Sequence, residues 1–395
     1  MSEWKEVRLG ELCYKVCSGG TPKSTNATYY DGGTIPWLNT KEINYNRIYS
    51  TESYITEEGL NNSSAKWIDE NAVIVAMYGA TAGRVAIAKI KMTTNQACCN
   101  LMIDSSKADY NFVYYYLCNN YKQLLSMANG AAQQNLNAQV IKDFIISLPI
   151  LDDQRRIASI LSSLDDKISV NKKICENLEA QAQALFKHWF IDFAPFKDGK
   201  FVESELGMIP EGWRVGTLGE IADITMGQSP SGSSYNENGN GVVFYQGRAE
   251  FGYRFPKVRL FTTEPKRFAE PLSTLLSVRA PVGDINVATE KCCIGRGLAA
   301  IKSKSYHSSY ILYLLKSLRR RFDVYNGEGT VFGSINKDTL NGLNIVIPPN
   351  SAIREFNDIV QVSDSEILES HNEDIRLQAL RDTLLPRLMS GEIKL

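Results

Sequence analysis

The sequence predicts an α+β protein: two mixed α/β domains in a pseudo-twofold repeat, joined by two long helices that form an antiparallel coiled coil. Three observations predict this fold. Segments of the first half recur in the second half in the same order, short apolar runs alternate with turn residues in each copy, and a long helical pattern follows each copy. We expect globular domains at 1–151 and 195–349, a central helix at 152–194 and a C-terminal helix at 350–395.

The repeat is visible as six matched segments whose offset drifts from 209 to about 199, as loop insertions would produce. The matches are 9–12 with 218–221, 18–22 with 226–230, 75–83 with 276–283, 129–130 with 326–327, 136–137 with 335–336, and 145–149 with 344–348. Within each copy we expect short strands and one clear helix, near 111–127 in the first copy and 308–325 in the second.

The central helix carries apolar residues in strict 4-3 alternation, which is the seam of a coiled coil. The predicted seam residues are Ile157, Leu161, Leu164, Ile168, Asn171, Leu178 and Leu185 in the central helix, and Phe356, Val360, Ile367, Leu377, Leu384 and Leu388 in the C-terminal helix. Ser363, Ser370 and Asp374 interrupt the second seam. A helix of about 35 residues is a rod of roughly 50 Å. Its nearest partner is the other long helix, although each helix could instead pack on its own domain.

Composition narrows the class of protein. The chain has 395 residues, 43 Lys and Arg, and 44 Asp and Glu, so its net charge of −1 argues against a free-standing polybasic nucleic-acid binder, but not against a local basic groove. No apolar run is long enough to span a membrane, and the N-terminus lacks the apolar core of a signal peptide. Eight scattered cysteines do not form a disulfide framework. We therefore expect a cytoplasmic protein with free thiols.

The motifs of common enzymes are absent from the sequence. It has no phosphate-binding GxxxxGK[ST] loop and no GxGxxG after a strand, and its three histidines, His188, His307 and His371, lack metal-ligand spacing. Glu392 and Lys394 supply only a fragment of a nuclease motif. We predict no catalytic residues, no metal site and no cofactor bound by this chain, which favours a binding protein over an enzyme.

Both copies are rich in side chains that can read base edges: Arg fits guanine, whereas Asn and Gln fit adenine. The candidate DNA contacts of the first copy are Thr21, Lys23, Asn39, Lys41, Tyr78, Thr81, Arg84, Asn95, Gln96, Gln133, Gln134, Asn135 and Asn137. Those of the second copy are Gln228, Ser229, Ser231, Gln246, Arg248, Arg279, Arg296, Thr330, Ser334 and Asn336. Any one of them could be an ordinary solvated loop residue. A basic stretch, Arg248, Arg254, Lys257, Arg259, Lys266 and Arg267, could also neutralise phosphates.

The two copies match at framework positions and differ at the positions that could read bases. The alignment sets Arg84 against Asp284, residues 133–135 against 331–333, and residues 95–96 against 296–297. Two domains with one framework and different tips should read different sequences. The predicted target is therefore an asymmetric, bipartite site in double-stranded DNA, with an unread spacer set by the long helices.

Five motifs make the chain similar to the specificity subunits of type I restriction-modification systems. They are LGEI at 218–221 after Trp213, QRRIASIL at 154–161, LDDKI at 164–168, LFKHWFIDF at 185–193 and LLPRLMSGEI at 384–393. The resemblance covers essentially the whole chain. It implies two target recognition domains, each reading half of a split DNA site, and an antiparallel coiled coil made by the two long helices.

The same resemblance implies partners that carry the chemistry. Two methyltransferase subunits would dock around the coiled coil, bind S-adenosylmethionine and methylate adenine N6. Restriction subunits, which use ATP and Mg, would be recruited through them, and this chain would remain non-catalytic. Ile160, Ile174 and Trp189 face away from the seam and are candidates for the partner interface.

Alternatives remain open from the sequence. One is the recognition subunit of another restriction class, in which methylation and cleavage share one partner. Another is a scaffold whose two arms bind proteins, and a lone nuclease is the weakest. The bases read and the spacer length do not follow from the sequence.

Overall fold

The computed structural model describes residues 4–127, 135–326, 333–393 and 395 of the chain. The chain divides into two compact units: the first unit is Met1–Val170 with Asp374–Leu395, and the second unit is Asn171–Glu373. Each unit holds one copy of the repeat together with a stretch of both long helices. The predicted α+β architecture with two repeated domains is confirmed.

The first unit is built from two mixed sheets and a strand pair. Its strands are β1 (Lys5–Arg8), β2 (Cys13–Ser18), β3 (Ile35–Leu38), β4 (Asn46–Ile48), β5 (Ser53–Ile55), β6 (Trp67–Ile68), β7 (Val73–Ala76), β8 (Val85–Ala88), β9 (Met92–Thr94), β10 (Cys98–Ile103) and β11 (Ile145–Leu148). The sheet orders are β2-β10-β7-β8-β4 and β5-β3-β9-β6, and β1 pairs with β11. Its α-helices are α1 (Glu57–Asn61), α2 (Tyr110–Asn119), α3 (Tyr121–Ser126) and α4 (Ala138–Asp143), followed by the long helix α5 (Leu151–Phe190).

Alternation of side chains explains why the central strand β7 is buried on both faces. Val73 and Val75 join the core that contains α2, whereas Ile74 and Ala76 join a second core against the other sheet. Because successive residues of a strand point to opposite faces, one short apolar run closes two cores at once.

The second unit repeats this plan. Its strands are β12 (Phe201–Ser204), β13 (Gly207–Pro210), β14 (Arg214–Thr217), β15 (Ala222–Met226), β16 (Tyr235–Asn236), β17 (Val242–Tyr245), β18 (Leu260–Thr262), β19 (Phe268–Ala269), β20 (Thr274–Ser277), β21 (Ile285–Val287), β22 (Cys292–Ile294), β23 (Leu298–Ser303) and β24 (Asn344–Ile347). The sheet orders are β15-β23-β20-β21 and β16-β18-β17-β22-β19, with β14 paired to β24 and β12 to β13. Its α-helices are α6 (Leu218–Ile221), α7 (Ser308–Ser317), α8 (Arg319–Asp323), α9 (Lys337–Asn341) and α10 (Asn350–Met389).

The single helix predicted late in each copy is wrong, because each is two helices, α2 with α3 and α7 with α8. The breaks fall at Asn120 (φ −99°, ψ 22°) and Leu318 (φ −87°, ψ 6°), whose ψ angles leave the helical range. Each break lets a further apolar side chain, Leu124 or Phe322, reach the core, where both are fully buried.

The two long helices run antiparallel in both units. In the second unit, Asn171 Nδ2 donates to Glu373 Oε2 (2.8 Å), and the rings of Phe186 and Phe356 lie 5.5 Å apart, so α5 rises in number as α10 falls. In the first unit, Arg381 of α10 bonds Asp165 of α5. This is the predicted antiparallel pair.

The predicted seam residues are all buried or half-buried. Ile157, Leu161, Asn171, Phe356, Val360, Ile367 and Leu388 are buried, whereas Leu164, Ile168, Leu178, Leu185, Leu377 and Leu384 are half-buried. The alternative expectation, helices that pack on the domains, also holds in part. In the first unit Ile157 and Leu161 share a core with Phe112 of α2, and in the second unit Phe356 shares one with Tyr310 of α7.

All eight cysteines are free thiols, as expected, and five of them are buried. Within the described part of the chain, no helix combines the length and the apolar character needed to cross a membrane.

Candidate nucleic-acid interface

One edge of each globular domain gathers most of the side chains predicted to contact DNA. Loop edge 1 consists of residues 19–23, 39–41, 77–84, 95–97 and 135–137. Loop edge 2 consists of residues 227–231, 246–248, 278–284, 295–297 and 333–336. The parallel pairs β3 with β9 and β17 with β22 bring the carboxyl ends of two strands together at each edge.

Backbone hydrogen bonds hold the segments of loop edge 1 together. Asn95 N donates to Leu38 O (2.9 Å), and Gly20 N donates to Thr94 O (2.9 Å). Met77 N donates to Ala97 O (2.8 Å), and Met77 O accepts from Leu136 N (2.9 Å). Because these bonds join backbone atoms only, the loop side chains can differ between the two copies without breaking them.

Loop edge 2 repeats the same four bonds. Gly295 N donates to Tyr245 O (2.8 Å), and Gln228 N donates to Ile294 O (2.9 Å). Val278 N donates to Gly297 O (2.9 Å), and Val278 O accepts from Ile335 N (3.0 Å). The repeat therefore extends from sequence to a common backbone frame at the two edges.

The shared frame corrects two of the predicted alignments by one residue. Because Asn95 and Gly295 make the same bond, Gln96 corresponds to Arg296, rather than to Gly297. Asn135 likewise corresponds to Ser334, since each precedes the residue that bonds Met77 or Val278.

The predicted match of Arg84 with Asp284 agrees with the frame. Arg84 O accepts from Ala76 N (2.9 Å), and Asp284 O accepts from Ser277 N (2.8 Å). A cation at one edge thus stands where the other edge has an anion.

Two glycines permit the close approach of these loops. A Cβ on Gly19 would lie 2.1 Å from Thr94 O, and a Cβ on the equivalent Gly227 would lie 2.1 Å from Gly295 O. Any side chain there would push the first loop away from the loop that carries Gln96 or Arg296.

Side chains at loop edge 1 contact one another in pairs. Thr21 Oγ1 donates to Gln96 Oε1, and Asn95 Nδ2 donates to Asn39 Oδ1 (3.3 Å). Arg84 Nη1 donates to Asn44 Oδ1 (2.7 Å). This surface is largely amide and hydroxyl in character, and its polar groups can meet base edges.

Other candidates of loop edge 1 differ in exposure. Lys23 and Tyr78 are exposed, whereas Thr81 is half-buried. Lys41 Nζ lies 2.6 Å from Glu52 Oε2, and this hydrogen bond and charge raise the pKa of Lys41. Lys41 therefore stays a cation at any physiological pH, although Glu52 offsets part of its charge.

Loop edge 2 carries more guanidinium groups. Gln228, Ser231, Gln246, Arg279 and Arg296 are exposed there. The half-buried Ser229 accepts from Arg296 N at its Oγ (3.3 Å), and Arg279 and Ser334 form an isolated β-bridge.

A salt bridge restrains Arg248 at this edge. Asp284 bonds Arg248 Nε and, through its other oxygen, Arg319 Nη1 (2.7 Å). Sequence reasoning missed Arg319 and the Asn44 partner of Arg84. The run of three arginines at 319–321 was a signal for the first, but nothing in the sequence indicated Asn44.

Two residues predicted to contact DNA, one in each copy, have a structural role. Asn137 Oδ1 accepts from Val140 N (2.9 Å) at the start of α4, and Asn336 Oδ1 accepts from Thr339 N (2.8 Å) at the start of α9. Both are helix N-caps, so their side-chain oxygen is engaged by the backbone. The predicted contacts Gln133, Gln134 and Thr330 lie outside the described residues.

The basic stretch of the second copy requires one correction. Arg254 is buried, with 5% of its side chain exposed, and bonds Glu179, Asp364 and the Tyr313 hydroxyl. A phosphate cannot reach it, because two carboxylates already surround its guanidinium. The remaining cations of the stretch, Arg248, Lys257, Arg259, Lys266 and Arg267, are exposed.

The described residues contain no group of three or more His, Cys, Asp or Glu side chains placed to hold a metal ion. The arrangement at both edges provides hydrogen-bond donors and acceptors on a rigid backbone frame. Such a surface suits recognition.

Comparison with known proteins defines the class. A family profile described as the type I restriction modification DNA specificity domain matches residues 1–180 and 210–383, one match for each copy of the repeat. The chain belongs to this family, and so it is a non-catalytic DNA specificity subunit.

Individual relatives agree with this assignment. The MjaIX type I restriction enzyme specificity subunit of Methanocaldococcus jannaschii is 30% identical over 425 residues, covering 100% of this chain and 97% of the relative. A second chain from that organism, with the system name MjaX, is 36% identical over 291 residues, covering 71% of this chain and 68% of its own length. A solved type I S subunit from M. genitalium has the same fold, with a TM-score of 0.62, 18% identity and coverage of 98% and 96%.

Proposed function

We propose that loop edge 1 and loop edge 2 each read one half of a split, asymmetric DNA target. The observation that supports this is the duplicated backbone frame: four equivalent hydrogen bonds hold the loops at both edges, while the side chains that the frame presents differ. A rigid frame with variable tips is what recognition of two unlike base sequences requires.

The exposed tip residues indicate how the half-sites differ. Gln96 and Arg296 occupy the same frame position and are both exposed. An amide favours adenine and a guanidinium favours guanine in the major groove. Arg248 and Arg279 add further positive charge to loop edge 2, which can also attract phosphates.

The proposal includes the partners. The specificity subunit would act in the cytoplasm with two methyltransferase subunits docked around α5 and α10, and restriction subunits would join through them. The methyltransferases would bind S-adenosylmethionine and methylate adenine N6, and the restriction subunits would use ATP and Mg. The domain limits that serve this function are 1–151 and 195–349 for the two recognition domains, with 152–194 and 350–395 as the helical segments.

The experiment is genome-wide adenine-methylation mapping in cells that express this chain with its neighbouring methyltransferase, against cells that lack only this chain. We expect a two-part asymmetric motif that disappears with the chain. The same mapping with Arg296→Gln should alter one half of the motif and leave the other unchanged, because only loop edge 2 is modified. Lys291→Gln, at the opposite end of strand β22, is the matched control and should leave the motif intact.

DNA-binding measurements on purified complexes give the size of the Arg296 effect. Loss of a base contact by Arg296 should reduce discrimination in one half-site by about 1–3 kcal/mol. Equal weakening on all DNA sequences would instead identify a phosphate contact. Unchanged methylation on removal of the whole chain would overturn the proposal and favour a scaffold that binds proteins.

A further inference from the structure

Two matching polar clusters join the globular domains to the long helices. In the first unit, Tyr115 of α2 donates its hydroxyl to Asp165 Oδ2 of α5 (2.5 Å), and Arg47 Nη2 donates to the Tyr115 hydroxyl (3.3 Å). Asp165 is the fifteenth residue of α5 and Tyr115 is the sixth of α2.

The second unit repeats this cluster at the same positions. Tyr313, the sixth residue of α7, donates to Asp364 Oδ1 (2.9 Å), and Asp364 is the fifteenth residue of α10. Arg254 Nη1 donates to the Tyr313 hydroxyl (3.0 Å), as Arg47 does to Tyr115. Arg47 and Arg254 are equivalent, because they contact matching residues of the neighbouring strand. Arg47 pairs with Ile87 of β8, and Arg254 O accepts from Val287 N of β21.

The clusters differ in the charged residue that the opposite long helix contributes. In the first unit, Arg381 of α10 donates to Asp165 Oδ1 (2.8 Å), and the ninth residue of α2 is the uncharged Cys118. Cys118, Asp165 and Arg381 line one cavity of about 240 Å³. Two exposed carboxylates form further ion pairs with these arginines. Arg381 Nη2 lies 2.8 Å from Asp382 Oδ1, and Arg47 Nη1 lies 3.0 Å from Asp166 Oδ1.

In the second unit the charges are exchanged. The opposite long helix contributes an anion, Glu179 of α5, and the ninth residue of α7 is a cation, Lys316. Lys316 and Arg254 both bond Glu179, whose side chain is only 5% exposed. Burial of a carboxylate is costly unless cations pair with it, so Lys316 and Glu179 depend on each other.

We propose that residue pairs 118/381 and 316/179 form a pairing code that matches each globular domain to the opposite long helix. The first unit pairs an uncharged domain residue with a helix cation, and the second unit pairs a domain cation with a helix anion. Mixed combinations unbalance each cluster: a helix carboxylate in the first unit joins Asp165 and meets Arg47 but no lysine, and a helix arginine in the second unit joins Arg254 and Lys316 around Asp364.

The code selects against a second copy of this chain paired through identical helices. Two α5 helices in antiparallel register would bring Glu179 towards Asp165 and Cys118. Two α10 helices would bring Arg381 towards Lys316 and Arg254. Both arrangements concentrate like charges in buried positions, whereas α5 with α10 satisfies both units.

A transplant of the second code into the first unit tests the proposal. Glu179 and Ala182 are residues 29 and 32 of α5, and their counterparts in α10 are Gln378 and Arg381. We would therefore compare Cys118→Lys, the helix pair Gln378→Glu with Arg381→Ala, and all three changes together, in the full chain by thermal unfolding.

Cys118→Lys and the helix pair should each lower the melting temperature by roughly 5–15 °C, since the first places an ammonium group in the same cavity as Arg381 and the second takes from Asp165 the cation that bonds it. The triple variant should recover at least half of the summed loss. Asn119→Lys, at the exposed next position of α2, is the control for a new lysine and should change little. Losses that simply add in the triple variant would overturn the proposal.

A second comparison decides the question if the transplanted chains do not fold. Lys316→Cys removes one of the two cations that bond Glu179, so the melting temperature of this variant should fall. Adding Glu179→Gln removes the buried carboxylate that has lost Lys316 and should restore part of the loss. A double variant no more stable than Lys316→Cys alone would contradict the code.

Discussion

Arg254 is the residue at which the structure and the sequence make opposite predictions. Its place in a basic stretch indicates a phosphate contact, whereas its burial against Glu179 and Asp364 indicates a structural cation. Arg254→Gln keeps a side chain of intermediate length and removes the charge. It therefore separates the two roles.

The magnitude follows from what the substitution leaves behind. The guanidinium bonds Glu179, Asp364 Oδ1 (2.5 Å) and the Tyr313 hydroxyl (3.0 Å), and burial opposes its charge while Asp364 and Tyr313 hold its pKa above the ordinary value. Without it, the buried Glu179 and the half-buried Asp364 have Lys316 as their neighbouring cation. Breaking a buried ion pair costs about 3–5 kcal/mol, or roughly 6–20 °C in melting temperature for a domain of this size.

The assay is thermal unfolding of Arg254→Gln, with DNA affinity of the assembled methyltransferase complex measured against salt concentration. We expect a large fall in melting temperature and, below it, an unchanged salt slope. Lys257→Gln, on the same loop but exposed, is the control and should leave the free energy of unfolding within about 0.5 kcal/mol of that of the unmodified chain. An unchanged melting temperature with a reduced salt slope would refute the buried arrangement.

Two further substitutions test the loop edges. Gly227→Ala should destabilise the second unit by about 1–3 kcal/mol, because the new methyl group meets Gly295 O, and calorimetry should find Gly232→Ala, which has open space, unchanged. Asn336→Ala should cost about 1 kcal/mol through the lost N-cap of α9, whereas Asn336→Asp should keep the cap. Equal stability of the alanine and aspartate variants in denaturant unfolding would rule out the capping role.

The large features of the fold were predictable because they are periodic or repeated. The 4-3 alternation from Ile157 to Leu185 requires a long helix with one apolar face, and the internal repeat requires two similar domains. The strand-rich cores follow the same rule, since β7 and its neighbours are short apolar runs between turns. The break at Asn120 carries no such signal, because tertiary packing routinely overrides the modest helix penalty of an asparagine, and Leu124 beyond the break is fully buried.

The candidate site was predictable in composition but not in geometry. Side chains such as Gln96 and Arg296 stand out as base-reading types, yet their equivalence depends on backbone bonds between distant segments, and the sequence match alone places them one residue apart. Arg254 shows the converse limit. Its neighbours in sequence are exposed cations, and only the fold brings it to Glu179 and Asp364, distant in the chain.

The first unit is assembled from two separate stretches of chain, Met1–Val170 and Asp374–Leu395. Its core includes Leu388 and Met389, and Trp4 lies against Gly391. During synthesis, most of the first unit is therefore made before the second unit, whereas its stretch Asp374–Leu395 is made after the second unit. Until that stretch is made, the apolar face of α5 that packs with it stays uncovered, so truncated nascent chains expose an apolar surface to chaperones and proteases.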